Sequence, residues 1–241
     1  MKPEEAASRL AYTLEDQERM TRARNYFAWQ SRLVLPELGR RVIEVGCGIG
    51  NFTEKLLDRE LVVAVDEEPG CVDRLRERFP HQPNLRTAVL DAGCRLSDLA
   101  SYRPDSCVCL NVLEHIEDDL GTLRGMAAIL PAGGRAVLIV PAFQALYGPI
   151  DRNLAHQRRY DRASISRVAR AAGFEVRQAH YMNVPGFFGW WINAHVLKRS
   201  QQSAAQIAFF DRFIVPAISR MERLAPPPFG QSLFCVLEKP G

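Results

Sequence analysis

The sequence is poor in the usual marks of a metal-thiolate protein. Its cysteines, at positions 47, 71, 94, 107, 109 and 235, form no C-x-x-C with a second pair or with histidines at ligand spacing. On that ground no zinc and no other metal is expected. No apolar run of about 18 residues is free of charge, so no transmembrane helix is expected. The opening residues, Met1-Lys2-Pro3-Glu4-Glu5, lack the apolar stretch of a secretion signal. A reduced, cytoplasmic setting is the expectation that fits these absences. Excess charge is missing too: a formal net charge of +3 makes no case for nucleic acid as a partner. What the chain does have is apolar bulk, 47% over 241 residues, enough for the core of one α/β domain with an elaboration.

The richest stretch is Arg40 to Thr53. The β-branched run Val42 to Val45 reads as a buried strand, and Gly46, Gly48 and Gly50 follow it at once. Phe52 to Arg59 then reads as a helix, which would bring a glycine turn and a helix N-terminus to a ligand together. Glycine serves such a turn because a Cβ would block close approach or forbid a positive φ. The spacing is G-x-G-x-G and not the G-x-G-x-x-G of dinucleotide sites.

With Glu44 inside the strand, E-V-G-C-G-I-G-N resembles motif I of the class I S-adenosylmethionine (SAM) methyltransferases. The resemblance implies SAM as cofactor and S-adenosylhomocysteine as product. It places Glu44, Gly46, Cys47, Gly48 and Asn51 around the methionine part. Leu61 to Val65 is a second strand ending in Asp66-Glu67, about 20 residues after Gly46, the separation one βαβ unit requires. A carboxylate there suits the ribose diol because it accepts two hydrogen bonds in fork geometry. Asp66 is the stronger candidate and Glu67 the second. Leu85 to Leu90 is a third strand, and the Asp91-Ala92 after it is similar to the family's adenine-facing pair. Asp105 to Leu110 is the fourth, and Asn111-Val112-Leu113-Glu114-His115-Ile116 resembles a family motif that contacts the cofactor and borders the substrate, Asn111 and Val112 being the cofactor residues. The likeness extends over roughly residues 20 to 182.

Residues 4 to 36 are helical in character, and Met20, Ala23, Tyr26, Phe27, Gln30 and Leu33 recur on one face. That face packs on the body, or Tyr26 and Trp29 cap the cofactor pocket. Arg135 to Val140 is the fifth strand. The loop after it runs into His156-Gln157-Arg158-Arg159-Tyr160, a pattern that resembles a bacterial subgroup of the family. Tyr147, Asp151, Arg159, Tyr160 and, further on, Trp190 are candidates to bind the substrate. His156 and His115 are the candidate general bases, imidazoles with near-neutral titration.

Phe174 to Tyr181 alternates like a strand, and Ser232 to Leu237 would close the sheet. The expected fold is a Rossmann-like seven-stranded, mostly parallel sheet with an antiparallel last strand and helices on both faces. One methyltransferase domain is expected to span 1–241: an N-terminal helical cap (1–39), a cofactor-binding core (40–182), a helical insertion or lid (183–230) and a closing strand (231–241). Phe209, Phe210, Phe213, Ile214, Ala217, Ile218, Met221 and Leu224 give the insertion an apolar stripe. Packing on the body or on a second copy, covering a greasy acceptor, and touching a membrane surface are its open readings. A homodimer through 185–224 belongs to the first. The function the resemblance implies is methyl transfer to an O, N or C nucleophile of a small or hydrophobic organic acceptor. A non-catalytic SAM-binding or scaffold protein is the competing reading. A nicotinamide-dependent reductase lacks both the third-glycine spacing and a Y-x-x-x-K pair.

Overall fold

The structure, a computed structural model, describes residues 14–241 apart from 16, 200 and 202. The Met1–Glu5 segment and the first part of the expected N-terminal cap lie outside the described residues.

The strands are β1 (Arg41–Val45), β2 (Leu61–Asp66), β3 (Leu85–Val89), β4 (Ser106–Leu110), β5 (Arg135–Pro141), β6 (Glu175–Met182) and β7 (Ser232–Glu238). They form one seven-stranded sheet in the order β3-β2-β1-β4-β5-β7-β6. β1 to β5 pair in parallel, and β7 runs antiparallel between β5 and β6. The central strands are continuous apolar runs because helices cover both of their faces. Strand alternation sorts the side chains: Cys107 and Cys109 enter one apolar cluster while Val108 enters the other.

Helix α1 (Arg24–Val34) precedes β1, and α2 (Pro69–Arg78), α3 (Asp119–Ile129), α4 (Pro149–Asn153) and α5 (Arg162–Ala171) lie between β2 and β6. Beyond β6 come α6 (Val184–Trp191), α7 (Ala204–Phe209) and α8 (Val215–Leu224), with π-helical turns at Ile192–Val196 and Phe210–Ile214. Leu123 and Met126 of α3 and Ile165 of α5 pack on one face of the sheet. Trp29 and Val34 of α1 and Val215 and Ile218 of α8 pack on the other. Because β1 lies between β2 and β4, the sheet's winding switches sides at the β1–β4 pair. The carboxyl ends of these two strands therefore border a crevice, where open α/β sheets hold ligands.

Two local expectations change. Residues 52–59 form no α-helix; a single 3-10 turn at Thr53–Lys55 takes its place. Phe52, Thr53 and Leu56 are all buried there, and the chain re-enters the sheet at Leu61, so tertiary anchoring leaves no length for helical turns. The insertion's stripe is also split. Phe210, Ile214 and Ile218 turn inward onto the core, whereas Phe209 (60% exposed), Phe213 (58%), Met221 (69%) and Leu224 (85%) face outward. No helix among the described residues is long and apolar enough to cross a membrane.

Candidate active site

The turn after β1 is built on left-handed backbone. Gly46, Gly48 and Gly50 have φ of +74°, +52° and +85°, conformations L side chains rarely adopt. Gly46 also has no room: a Cβ there would collide with the methyls of Val112 in the loop after β4. Gly46 and Cys47 donate to the Val65 carbonyl at 2.8 and 2.9 Å, tying the turn to the end of β2. The Gly48 N–H donates to Asp66 Oδ2 at 2.8 Å, and the Glu68 N–H donates to Oδ1 at 3.1 Å. Asp66 thus shapes the loop as well as facing the crevice. Burial raises its carboxyl above the ordinary value, against those backbone donors.

Glu44 is buried in β1 and accepts a 2.6 Å bond from Thr53 Oγ1. Burial lifts its carboxyl to about 8, despite the Thr53 hydroxyl. Asp91 bonds within its own turn, accepting from the Gly93 N–H at 2.8 Å. Asn111, at the end of β4, takes the left-handed conformation with φ +55°, which asparagine tolerates better than most residues.

One cavity of ≈ 630 Å³ opens over these ends. Its wall includes Glu44, Gly46, Cys47, Gly48, Asn51, Asp66, Glu67, Asp91, Ala92, Asn111, Val112 and Tyr26. Every residue singled out for the cofactor therefore faces the same space. His115, His156, Arg159 and Trp190 line it as well. Tyr147, Asp151 and Tyr160 are not part of the wall; they stand behind it. The Tyr147 hydroxyl donates to the His156 carbonyl at 2.8 Å, and the Tyr160 hydroxyl donates to Asp119 Oδ2 at 2.9 Å. Trp29 is in the core and not a cap, while Tyr26 does reach the cavity.

Asp151 is the hub of this second layer. Its Oδ1 lies 2.9 Å from His156 Nδ1 and accepts from Arg159 Nε at 2.8 Å. Its Oδ2 accepts from the Gly148 N–H at 2.9 Å and from Trp190 Nε1 at 3.3 Å. Burial alone would raise the Asp151 carboxyl, but the His156 bond and the Arg159 charge outweigh it and hold it low. The Arg159 guanidinium also lies over the Trp190 ring, 4.8 Å from its centroid.

Several wall residues were not singled out from the sequence. Glu114 is 1% exposed, and neither of its carboxylate oxygens has a hydrogen-bond partner on another residue. Burial lifts its carboxyl to about 7, against the pull of His156 and Arg159. It lies inside the motif quoted above, so its position was visible even though its role was not. Gln17 accepts from the Ile49 N–H at 2.8 Å, and its carbonyl accepts from Asn51 Nδ2 at 2.9 Å. Asp211, from the π-turn before α8, also lines the cavity. Neither of these two carries a motif that would have marked it.

The fold and the crevice define a Rossmann-like α/β protein with a cavity at its switch point, where such sheets hold ligands. The chain belongs to the methyltransferase-domain family: the family model with that description matches residues 12–179. It is 33% identical over 112 residues to a ubiquinone biosynthesis O-methyltransferase of Xanthomonas campestris, covering 45% of each chain. It is 32% identical over 130 residues to a trans-aconitate 2-methyltransferase of Rhodococcus jostii, covering 52% of this chain and 47% of that one. The chain thus matches about half the length of these curated relatives. Among solved structures, the N-methyltransferase NodS from Bradyrhizobium japonicum, in complex with S-adenosylhomocysteine, superposes with a TM-score of 0.57 at 17% identity. That match covers 90% of this chain and 87% of NodS, and it shows the shared fold.

Proposed function

We propose that this chain uses SAM to methylate an oxygen nucleophile on a small, largely apolar organic acceptor. The observation that carries the reading is the convergence of the whole cofactor set and both histidines on one cavity wall. The residues present fit the cofactor. Gly46, Cys47 and Gly48 of the turn line the cavity, and the carboxylates of Asp66 and Glu67 suit the ribose diol. Asp91 and Ala92 suit the adenine, the small alanine leaving space for a flat base. When bound, SAM supplies an activated methyl group on a sulfonium centre.

The chain's own part is to hold the acceptor in line and to take its proton. Proximity of this kind contributes ~7–11 kcal/mol. Phe27, Ile150, Leu154, Trp190, Ile207 and Phe210 give the cavity its apolar lining, while Arg159, His115 and His156 supply polar groups. This mixture favours an apolar body bearing one hydroxyl or acid group. The oxygen preference draws on the relative named as an O-methyltransferase. His156 is the better-oriented base, because Asp151 fixes its Nδ1 and leaves the Nε2 lone pair for a substrate proton. Calorimetry with SAM and S-adenosylhomocysteine, then a screen of phenols and carboxylic acids following S-adenosylhomocysteine release, tests the reading. Absence of cofactor binding to ligand-stripped protein overturns it.

A further inference from the structure

We propose that Glu114, His115 and His156 bind a divalent first-row transition cation that holds the acceptor's oxygen. This inference rests on the methyltransferase reading for its purpose, but not for its evidence. One carboxylate oxygen and one imidazole nitrogen from each histidine lie within 4.8 Å of one another, the one such set of three found among the described residues. The two rings meet edge to face with centroids 4.6 Å apart. All three residues line the cavity.

Three features separate this trio from an incidental cluster. First, a carboxylate that is 1% exposed with neither oxygen bonded to another residue is costly, and such a group is normally paired or bound to metal. Second, the guanidinium on the same wall, that of Arg159, is committed elsewhere. Arg159 donates from Nε to Asp151 and from Nη1 to the Ala142 carbonyl at 3.1 Å, its Nη2 lies 2.8 Å from Asp151 Oδ1, and neither Glu114 oxygen receives a hydrogen bond from it. Third, His156 carries the outer support that metal-binding imidazoles have. The Asp151 carboxylate accepts a hydrogen bond from Nδ1–H at 2.9 Å, which fixes the tautomer and leaves the Nε2 lone pair to bind the cation.

Two imidazoles and one carboxylate suit zinc, manganese, iron(II) or cobalt(II), not calcium or magnesium. Bonds of about 2.0–2.2 Å require the donors to close to roughly 3–3.5 Å, within reach of side-chain rotation. Three protein donors leave positions open to the cavity. An acceptor hydroxyl there would lose its proton to water more easily, so the cation takes over the work of the free His156 base. The expectation of no metal rested on cysteine spacing, and this donor set contains no cysteine.

The test uses chelator-treated, full-length protein and cobalt(II) chloride as an optical probe. One equivalent of cobalt giving visible d–d bands, displaced by zinc, is the expected result. Glu114→Gln and His115→Gln should each abolish the bands, and Asp151→Asn should weaken binding by ~10–100-fold. The inference is overturned if cobalt and zinc produce neither bands nor a melting shift. It is also overturned if folded Glu114→Gln and His115→Gln both bind cobalt as tightly as the parent. S-adenosylhomocysteine calorimetry on the same metal-free protein keeps the two readings apart. Cofactor binding without cobalt binding sinks the metal site alone, and the reverse sinks the methyltransferase reading alone.

Discussion

The Asp211 carboxylate accepts the backbone N–H of Tyr26 at 2.8 Å, across 185 residues of sequence. Its other oxygen accepts the Asn25 N–H at 3.2 Å. These N–H groups belong to the first turn of α1, whose own N-cap residue, Ala23, provides no side-chain acceptor. The insertion therefore caps the N-terminal helix, and both flank the cavity. Asp211→Ala should cost about 0.5–2 kcal/mol, the range for a lost N-cap, read as a lower urea midpoint with unchanged slope. It should also weaken S-adenosylhomocysteine binding, because Tyr26 is on the wall. Unchanged affinity in a destabilised variant would show that the cap serves stability alone.

Such a contact marks the boundary of what the sequence discloses. The inner strands were legible as largely apolar runs flanked by turn residues, and β6 as an alternating one. The cofactor wall was legible because its residues sit at strand ends, where the topology gathers them. Asp211 and Gln17 act across distances no local pattern encodes. Glu114 was in plain view within its motif, but a glutamate beside a histidine looks like a solvated pair until the fold buries it. The helix expected after Gly50 failed for a related reason: propensity yielded to the burial of Phe52 and Leu56.

Gly46 joins a backbone requirement to a packing one, and the two can be separated. Gly46→Ala should lose roughly 1–2 kcal/mol from the left-handed conformation and ~1–3 kcal/mol from collision with Val112. Adding Val112→Ala removes the two colliding methyls but keeps the Cβ of residue 112, so it should restore most of the packing part and leave the backbone part. Denaturant titration of both proteins checks this, and a double variant no more stable than Gly46→Ala would show that packing contributes nothing.

Glu44 should make stability fall as pH rises. In the native protein its carboxyl keeps a proton up to about 8, whereas in the unfolded chain it releases the proton near 4.5. Between those values the native state binds more protons, so the unfolding free energy declines with pH, by a few kcal/mol on the order of magnitude of such shifts. Glu44→Gln, which still accepts from the Thr53 hydroxyl, should flatten this part of the profile. Urea midpoints for the two proteins from pH 5 to 9 supply the comparison, and parallel curves would refute the assignment.

Asp66 holds the Gly48 loop and is also proposed to hold the ribose, so simple loss of affinity in Asp66→Asn proves little. The two roles separate when the ligand is changed as well. S-adenosylhomocysteine and its 2′-deoxy analogue should differ in affinity for the parent protein, since a hydrogen bond to a charged group contributes ~1.5–3 kcal/mol. If Asp66 accepts from the 2′-hydroxyl, that difference shrinks or vanishes in Asp66→Asn, whatever happens to the loop. If the difference survives there and disappears in Glu67→Gln, the diol belongs to Glu67 and Asp66 is a loop anchor. The coupling between residue and hydroxyl, not the affinity of either variant alone, identifies the carboxylate that reads the sugar.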